Sequence, residues 1–226
     1  MLLKNISNVG KILKTLNRLE SIKEFNATLP VKIEVLKEIN PIRYLIKLGN
    51  REIETKSYLP LQVGKKYFAQ IKENKNSIQI NSLKEIPQIL DELKNIEFKK
   101  EINHLTKEEV LNYLSNSNSK EEFIFFTNIL IAMQKKIYHL IINEKKKALM
   151  QYKYSKNRVK FYSIFNHLGE LEGEITLNSL IIYSPFESTL NLINLYKNEL
   201  NLEVFLYKKE VKKLYTFSNS LLNLKA

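Results

Sequence analysis

The sequence contains no cysteine and no tryptophan, and among its 226 residues only five are glycine, five are proline and three are histidine. The absence of cysteine excludes disulfide bonds, thiolate catalysis and cysteine-ligated zinc, and it fits a reducing intracellular setting best. His104, His139 and His167 stand far apart in sequence, whereas metal ligands normally occur at close helical or hairpin spacing. We therefore predict that each is a surface or hydrogen-bonded core histidine, and we expect no metal and no cofactor.

Motifs of nucleotide-dependent, hydrolytic and metallopeptidase chemistry are also missing. The chain has no P-loop, no Gly-x-Gly-x-x-Gly, no Gly-x-Ser-x-Gly and no His-Glu-x-x-His. Glu170, Glu172 and Glu174 point to one side of a strand pattern, and we interpret them as a solvated strand face rather than a metal site. We predict that the protein is not an enzyme and has no catalytic residues.

Long apolar runs are absent as well. The N-terminus has neither the apolar core nor the small-residue cleavage site of a secretory signal. The most apolar window, residues 123–133, is interrupted by Thr127 and Asn128, and a bilayer-spanning helix needs about 20 residues. We predict no transmembrane segment and a cytoplasmic location.

The balance of charge is strongly basic, with 36 Lys and Arg against 24 Asp and Glu and a net charge of +12. Such a balance ordinarily indicates nucleic acid or an anionic membrane surface as a partner. Very few of the basic residues are arginine, whereas bidentate recognition of phosphates and bases favours arginine. The abundance of Lys, Asn, Ile, Leu and Tyr is also what AT-rich codons produce regardless of function, so the charge is only a weak indication.

The first segment, residues 1–28, is predicted to be an amphipathic helix followed by a polar link. Apolar residues recur at helical spacing over residues 5–20, and lysines lie largely off that stripe. Two roles stay open for this basic helix. It packs against its own domain, or it lies on a membrane or a partner.

Five short strands are predicted between residues 29 and 83. Val31–Leu36 and Arg43–Leu48 alternate, Gly49-Asn50 makes a tight hairpin to Arg51–Lys56, and Tyr67–Ile71 pairs with Ser77–Ile80. A sheet this small hides its edges by closing on itself, so we predict a small five-stranded β-barrel of the OB or SH3-like kind. Such a barrel binds nucleic acid when aromatic and cationic side chains share an open face. The candidates are Tyr44, Tyr58, Tyr67, Phe68, Lys47, Lys65 and Lys66, with buried packing as the other reading of the aromatics.

Residues 84–147 are predicted to form a helical connector. Capping-box patterns occur at Ser82–Glu85, Thr106–Glu109 and Ser119–Glu122, each with a hydroxyl acceptor three residues before a carboxylate. Pro87 also allows the first of these helices to begin later. We predict that the third helix runs to about residue 147, where a lysine triplet suits the negative end of the helix dipole.

The last segment, residues 148–226, is predicted to be a domain of strands with one helix. Alternation over residues 158–183 indicates strands, the period becomes helical after Pro185, and Leu202–Tyr207 returns to alternation. Gly169 and Gly173 lie in the strand pattern, where glycine marks a bulge or a close approach of two backbones. The predicted fold class of the whole chain is α+β.

The run from Leu168 to Ile175, a second strand at Leu180–Tyr183, and a helix that opens with Glu187-Ser188-Thr189-Leu190 resemble the C-terminal domain of the flagellar hook-length control protein family. The resemblance is to a short relative without the family's long N-terminal ruler. It implies a non-enzymatic interaction protein at the cytoplasmic side of the flagellar type III export apparatus, with the cytoplasmic domain of the export gate as partner.

By the same resemblance, the partner-binding residues are Leu168, Gly169, Leu171, Gly173, Glu187, Ser188, Thr189 and Leu190. The alternative for each of them is a core or turn role. The alternative function for the chain, which comes from another class, is nucleic-acid binding through the basic barrel.

Overall fold

The computed structural model describes residues 2–18, 29–74, 77–98, 100–143 and 146–219. In these residues the chain forms two mostly antiparallel sheets and five α-helices. The predicted α+β class is therefore confirmed.

The first sheet has five strands. They are β1 Val31–Asn40, β2 Arg43–Leu48, β3 Arg51–Lys56, β4 Lys66–Asn74 and β5 Ser77–Glu85. Their pairing follows the order β1-β2-β3-β5-β4, and β4 also pairs with β1. β3 and β5 have the shortest pairing in this sheet, a single parallel pair between Lys56 and Gln79.

Both predicted hairpins of this sheet are present. Gly49 has a φ of 60° in the β2–β3 turn, a backbone conformation that glycine adopts without a steric penalty. β5 continues to Glu85 because β4 pairs with it along that length, with Phe68 opposite Lys84. The capping box predicted at Ser82–Glu85 is therefore wrong, and the next helix begins later.

The second sheet has seven strands. They are β6 Ile102–His104, β7 Tyr138–Ile142, β8 Ala148–Ser155, β9 Arg158–Phe165, β10 Gly169–Ile175, β11 Ser179–Ser184 and β12 Glu203–Lys208, in the order β12-β11-β10-β9-β8-β7-β6. Neighbouring strands are antiparallel except β11 and β12, which run parallel because a helix connects them. Because β6 and β7 belong to this sheet, the range 84–147 is not purely helical.

The five helices are α1 Leu2–Arg18, α2 Ile89–Asn95, α3 Lys107–Ser115, α4 Lys120–Gln134 and α5 Glu187–Leu195. The predicted caps of α3 and α4 are confirmed: Thr106 and Ser119 accept hydrogen bonds from the N–H groups of Glu109 and Glu122. In α3 the Glu109 side chain also reaches back to the N–H of Thr106.

The predicted extension of α4 to residue 147 is wrong. The helix ends at Gln134, Lys136 takes a left-handed φ of 59°, and the chain then enters β7. Lys145 lies outside the described residues. Lys147 does meet a helix C-terminus, but that of α2, where its ammonium donates to the carbonyl oxygens of Lys94 and Ile96.

The seven-stranded sheet lies between two layers. On one face α1 and α5 pack in a core that includes Ile6, Val9, Leu13, Leu171 and Ile193. On the other face α2, α4 and the tip of the first sheet pack in a second core, with Phe68, Leu93, Phe125, Tyr162 and Phe186 among its members. The N-terminal helix therefore packs against the chain's own domain. Its buried stripe is the apolar stripe predicted from sequence.

Candidate functional site

The predicted partner-binding residues on β10 and the turn before it are buried. Leu168 and Leu171 belong to the core beneath α5, and the backbones of Gly169 and Gly173 are enclosed. A β-carbon on Gly173 would lie 2.2 Å from the carbonyl oxygen of Ile181. The predicted close approach of backbones is confirmed there, and glycine is what this strand pairing requires.

The predicted residues at the start of α5 lie next to the same turn. Thr189 is buried and its hydroxyl donates to the carbonyl oxygen of Leu168 at 2.9 Å. Ser188 and Leu190 are buried as well. Glu187 is exposed, and its carboxylate lies 3.5 Å from the Lys208 ammonium.

The structure thus brings the two predicted segments together, but mainly through core packing. Gly169, with a φ of +73°, has the ring of Phe186 where a β-carbon would stand, at 2.9 Å. Among the predicted residues, Glu187 alone has an exposed side chain. The others are buried at the junction of β10 and α5.

A groove of about 520 Å³ begins beside Glu187. It runs between α5 and β12, which is an edge strand of the seven-stranded sheet. Phe205 and Tyr207 on β12 are 38% and 50% exposed, and Tyr207 stacks on Tyr183 with a centroid distance of 5.7 Å. Sequence patterns predicted a strand here, but a pattern of period two does not show which strand lies at an edge.

The aromatic residues proposed for a nucleic-acid face are mostly core residues. Tyr44, Tyr67 and Phe68 are buried, and only Tyr58 is exposed, at 71%. Two of the candidate lysines are neutralised locally: Lys65 lies 2.7 Å from Glu85, and Lys66 lies 3.2 Å from Asp91. These residues therefore do not form the stacked aromatic and cationic face that single-stranded nucleic acid requires.

The three glutamates of β10 do not form a solvated face. Glu170 is 1% exposed, and its Oε1 accepts a hydrogen bond from the Tyr162 hydroxyl at 2.5 Å. Burial raises the pKa of the Glu170 carboxyl above its ordinary value. Glu172 accepts from the N–H of Lys212 at 2.8 Å, and only Glu174, paired with Arg158, conforms to the prediction.

Sequence reasoning did not predict the burial of Glu170, because segments distant in the chain cover that end of the strand face. Residues 84–89 and 211–219 pack over it. Alternation along β10 correctly placed the glutamates on one side of the strand, but it carries no signal of what lies above that side.

The three histidines differ in their surroundings. The ring of His104 lies 3.1 Å from the Ser7 hydroxyl, and that of His167 lies 2.7 Å from the Lys146 ammonium. His139 is fully buried in β7, and both of its ring nitrogens are without hydrogen-bond partners among the described residues. The prediction of a hydrogen-bonded core histidine is therefore wrong for His139, and burial lowers the pKa of this imidazole to about 3.

No family model matches the chain, and no curated protein or solved structure shows significant similarity to it. In the described part of the chain, no three His, Asp or Glu side chains converge in a way that would hold a metal ion. None of the described helices has both the length and the hydropathy needed to cross a bilayer.

Proposed function

We propose that the protein is a non-enzymatic interaction protein of the flagellar type III export system, and that it binds its protein partner in the groove between α5 and β12. The proposed partner is the cytoplasmic domain of the export gate, which places the protein at the cytoplasmic side of the apparatus. The observation that carries this proposal is the groove itself, at an edge of the second sheet and beside the exposed Glu187.

An edge strand suits a protein partner for a physical reason. β12 pairs with β11 on one side, and no described strand pairs with its other side. Its outward N–H and C=O groups can therefore pair with an extended partner segment, while alternate side chains of that segment enter the groove. Phe205 and Tyr207 add exposed aromatic area, which protein interfaces favour.

The resemblance to the hook-length control family supports the same location. It rests on the order of two strands and a helix, and the chain has β10, β11 and α5 in that order. Of the positions carried over from the family, Glu187 and Leu190 line the groove. Thr189 and Gly169 act indirectly, because they set how α5 packs against β10.

We further propose that the five-stranded sheet is a small barrel of the OB or SH3-like kind with a supporting role. The strand order β1-β2-β3-β5-β4, together with the pairing of β4 with β1, supports this proposal. Phe68, on β4, inserts into the core of the second sheet and makes an edge contact with Phe186, their ring centroids 6.4 Å apart. Because aromatic side chains of the first sheet are used in core packing, few are left to stack on nucleic-acid bases.

The test is a binding measurement with the purified cytoplasmic domain of the export gate. Glu187→Lys with Asn191→Lys changes two exposed groove residues, and it should weaken binding by at least about tenfold while leaving the melting temperature unchanged. Glu54→Lys with Asn112→Lys is the matched control, with the same charge change at exposed positions outside this groove.

Two results would contradict the proposal. One is the absence of binding by the unmodified protein, and the other is equal binding by the groove variant. Tight binding of single-stranded nucleic acid that weakens steeply with salt would support the nucleic-acid function instead.

A further inference from the structure

Part of the second sheet is open to solvent on the side away from α1 and α5. One residue from each of β8 to β12 lies in register across this part, in the order Lys153, Lys160, Glu174, Ile181 and Phe205. We call these five residues the open row. Lys153, Lys160 and Phe205 are exposed, and Glu174 and Ile181 are half-buried. The open row lies opposite α1 and α5 because side chains alternate along a strand, and the neighbours of Lys160 on β9 pack in the core with those helices.

Positive charge collects at one end of the open row. Lys153 and Lys160 stand directly opposite each other on β8 and β9, and neither has an ion pair among the described residues. Arg158 lies on the same side, two positions before Lys160, but its guanidinium pairs with the carboxylate of Glu174 at 3.2 Å. Like charges directly opposite each other on paired strands are destabilising. Carboxylates of a partner placed over the two lysines would therefore remove a repulsion that the described residues do not compensate.

The other end of the open row is apolar and reaches β12. Phe205 is 38% exposed and pairs with Ile181. In the next row the ring of Tyr183 is engaged twice, because Tyr207 stacks on it and the Lys209 ammonium lies 4.8 Å from its centroid. Base stacking needs free aromatic faces, and lysine lacks the fork with which arginine recognises phosphates. An apolar area beside unpaired lysines therefore suits an acidic protein surface better than a nucleic acid.

We propose that the open row binds an acidic segment of the protein partner, with its carboxylates over Lys153 and Lys160 and its apolar side chains on Phe205. This inference rests on the proposed function, because Phe205 also lines the groove between α5 and β12. It adds the charge that the partner carries on this side of β12. Glu187 is on α5, which packs on the opposite side of the sheet. The groove variant and the open row therefore test different parts of the partner.

The first test measures the binding kinetics of the full chain with the purified cytoplasmic domain of the export gate. The open-row variant, Lys153→Glu with Lys160→Glu, should weaken binding by about tenfold or more, mainly through slower association, because charges at the rim of an interface act mostly on the association rate. Lys37→Glu with Lys47→Glu is the matched control, with the same charge change at exposed positions of the first sheet. The control should change binding by less than about twofold, because salt screens charges far from the interface. Both variants should keep the melting temperature of the unmodified protein.

A second probe, poly-L-glutamate titrated into the full chain by calorimetry, separates this inference from the proposed function. It should bind the unmodified protein and the control at least about tenfold more tightly than the open-row variant. If that is found while the gate domain does not bind, the export gate is the wrong partner and the acidic segment belongs to another protein. The inference is overturned if the open-row variant binds poly-L-glutamate, or a gate domain that binds the unmodified protein, as tightly as the control does. It is also overturned if single-stranded polyuridylate binds the open row more tightly than poly-L-glutamate.

Discussion

Gln151 and Tyr215 exchange two hydrogen bonds. The Gln151 side-chain amide donates to the Tyr215 carbonyl oxygen, the Tyr215 N–H donates to Oε1 of Gln151, and both distances are 2.9 Å. Asn128 makes the same two-way exchange with the backbone of Ser218, again at 2.9 Å in both directions. A carboxamide presents the donor and acceptor of a peptide group, so these buried side chains take the place of a neighbouring strand. They hold the C-terminal segment, residues 211–219, over the face of the second sheet that carries Glu170.

The first prediction concerns this attachment. Asn128→Ala should lower the free energy of unfolding by about 2–4 kcal/mol, because it removes the buried hydrogen bonds that the Asn128 carboxamide makes with the backbone of Ser218. Hydrogen exchange at the Ser218 amide should accelerate. Asn191→Ala, at an exposed position, should stay within about 0.5 kcal/mol. Unchanged exchange at Ser218 would show that Asn128 does not hold the segment.

Gly173 should be intolerant of any side chain. In Gly173→Ala the added methyl would stand 2.2 Å from the Ile181 carbonyl oxygen and 2.5 Å from the Phe161 ring. We expect the free energy of unfolding, measured in urea, to fall by more than about 3 kcal/mol, or the variant to fail to fold. Gly49→Ala is the comparison, because its position is open and only its φ of +60° is unfavourable. Gly49→Ala should lower the free energy of unfolding by about 1–2 kcal/mol. An equal loss for Gly49→Ala and Gly173→Ala would contradict the prediction.

His139 should make stability depend on pH. Its folded-state pKa is about 3, whereas an unfolded histidine titrates near pH 6.5. Below that pH the unfolded chain binds a proton that the folded chain does not, so stability falls as the pH falls. The contribution from His139 should decrease by about 2 kcal/mol between pH 7 and pH 5.

The measurement is urea unfolding at both pH values for the unmodified chain and His139→Leu. The leucine variant should lack this part of the pH dependence, so the difference between the two proteins should change by about 2 kcal/mol. Between pH 7 and pH 8 the difference should be almost constant. A difference that is also constant down to pH 5 would disprove the assignment to His139.

The cap of α3 should contribute measurably to stability. Thr106→Ala removes the acceptor for the Glu109 N–H, at 3.2 Å, and should cost about 1 kcal/mol. Thr106→Ser keeps a hydroxyl at the same position and should retain most of that stability. The measurement is thermal unfolding of the unmodified protein, Thr106→Ala and Thr106→Ser. Equal melting temperatures for the alanine and serine variants would argue against a stabilising role of the cap.

Local patterns accounted for much of the architecture. The β2–β3 hairpin around Gly49, the amphipathic α1 and the capped start of α3 are each specified within a few residues. Predictions failed where a distant segment decided the outcome. Ser82–Glu85 reads as a helix start but stays in β5, because β4 pairs with it.

The candidate sites show the same division. By itself, the sequence determined that Glu170 alternates with Leu171, that Gly169 and Gly173 mark close packing, and that a helix follows Pro185. These features depend on backbone periodicity and steric size, which are properties of neighbouring residues. Only the tertiary structure decided that Glu170 is buried beneath residues 211–219, that Leu168 and Thr189 are core, and that β12 forms an edge. Burial depends on which remote segments cover a strand face, and the alternation of residues within the strand does not indicate which segments those are.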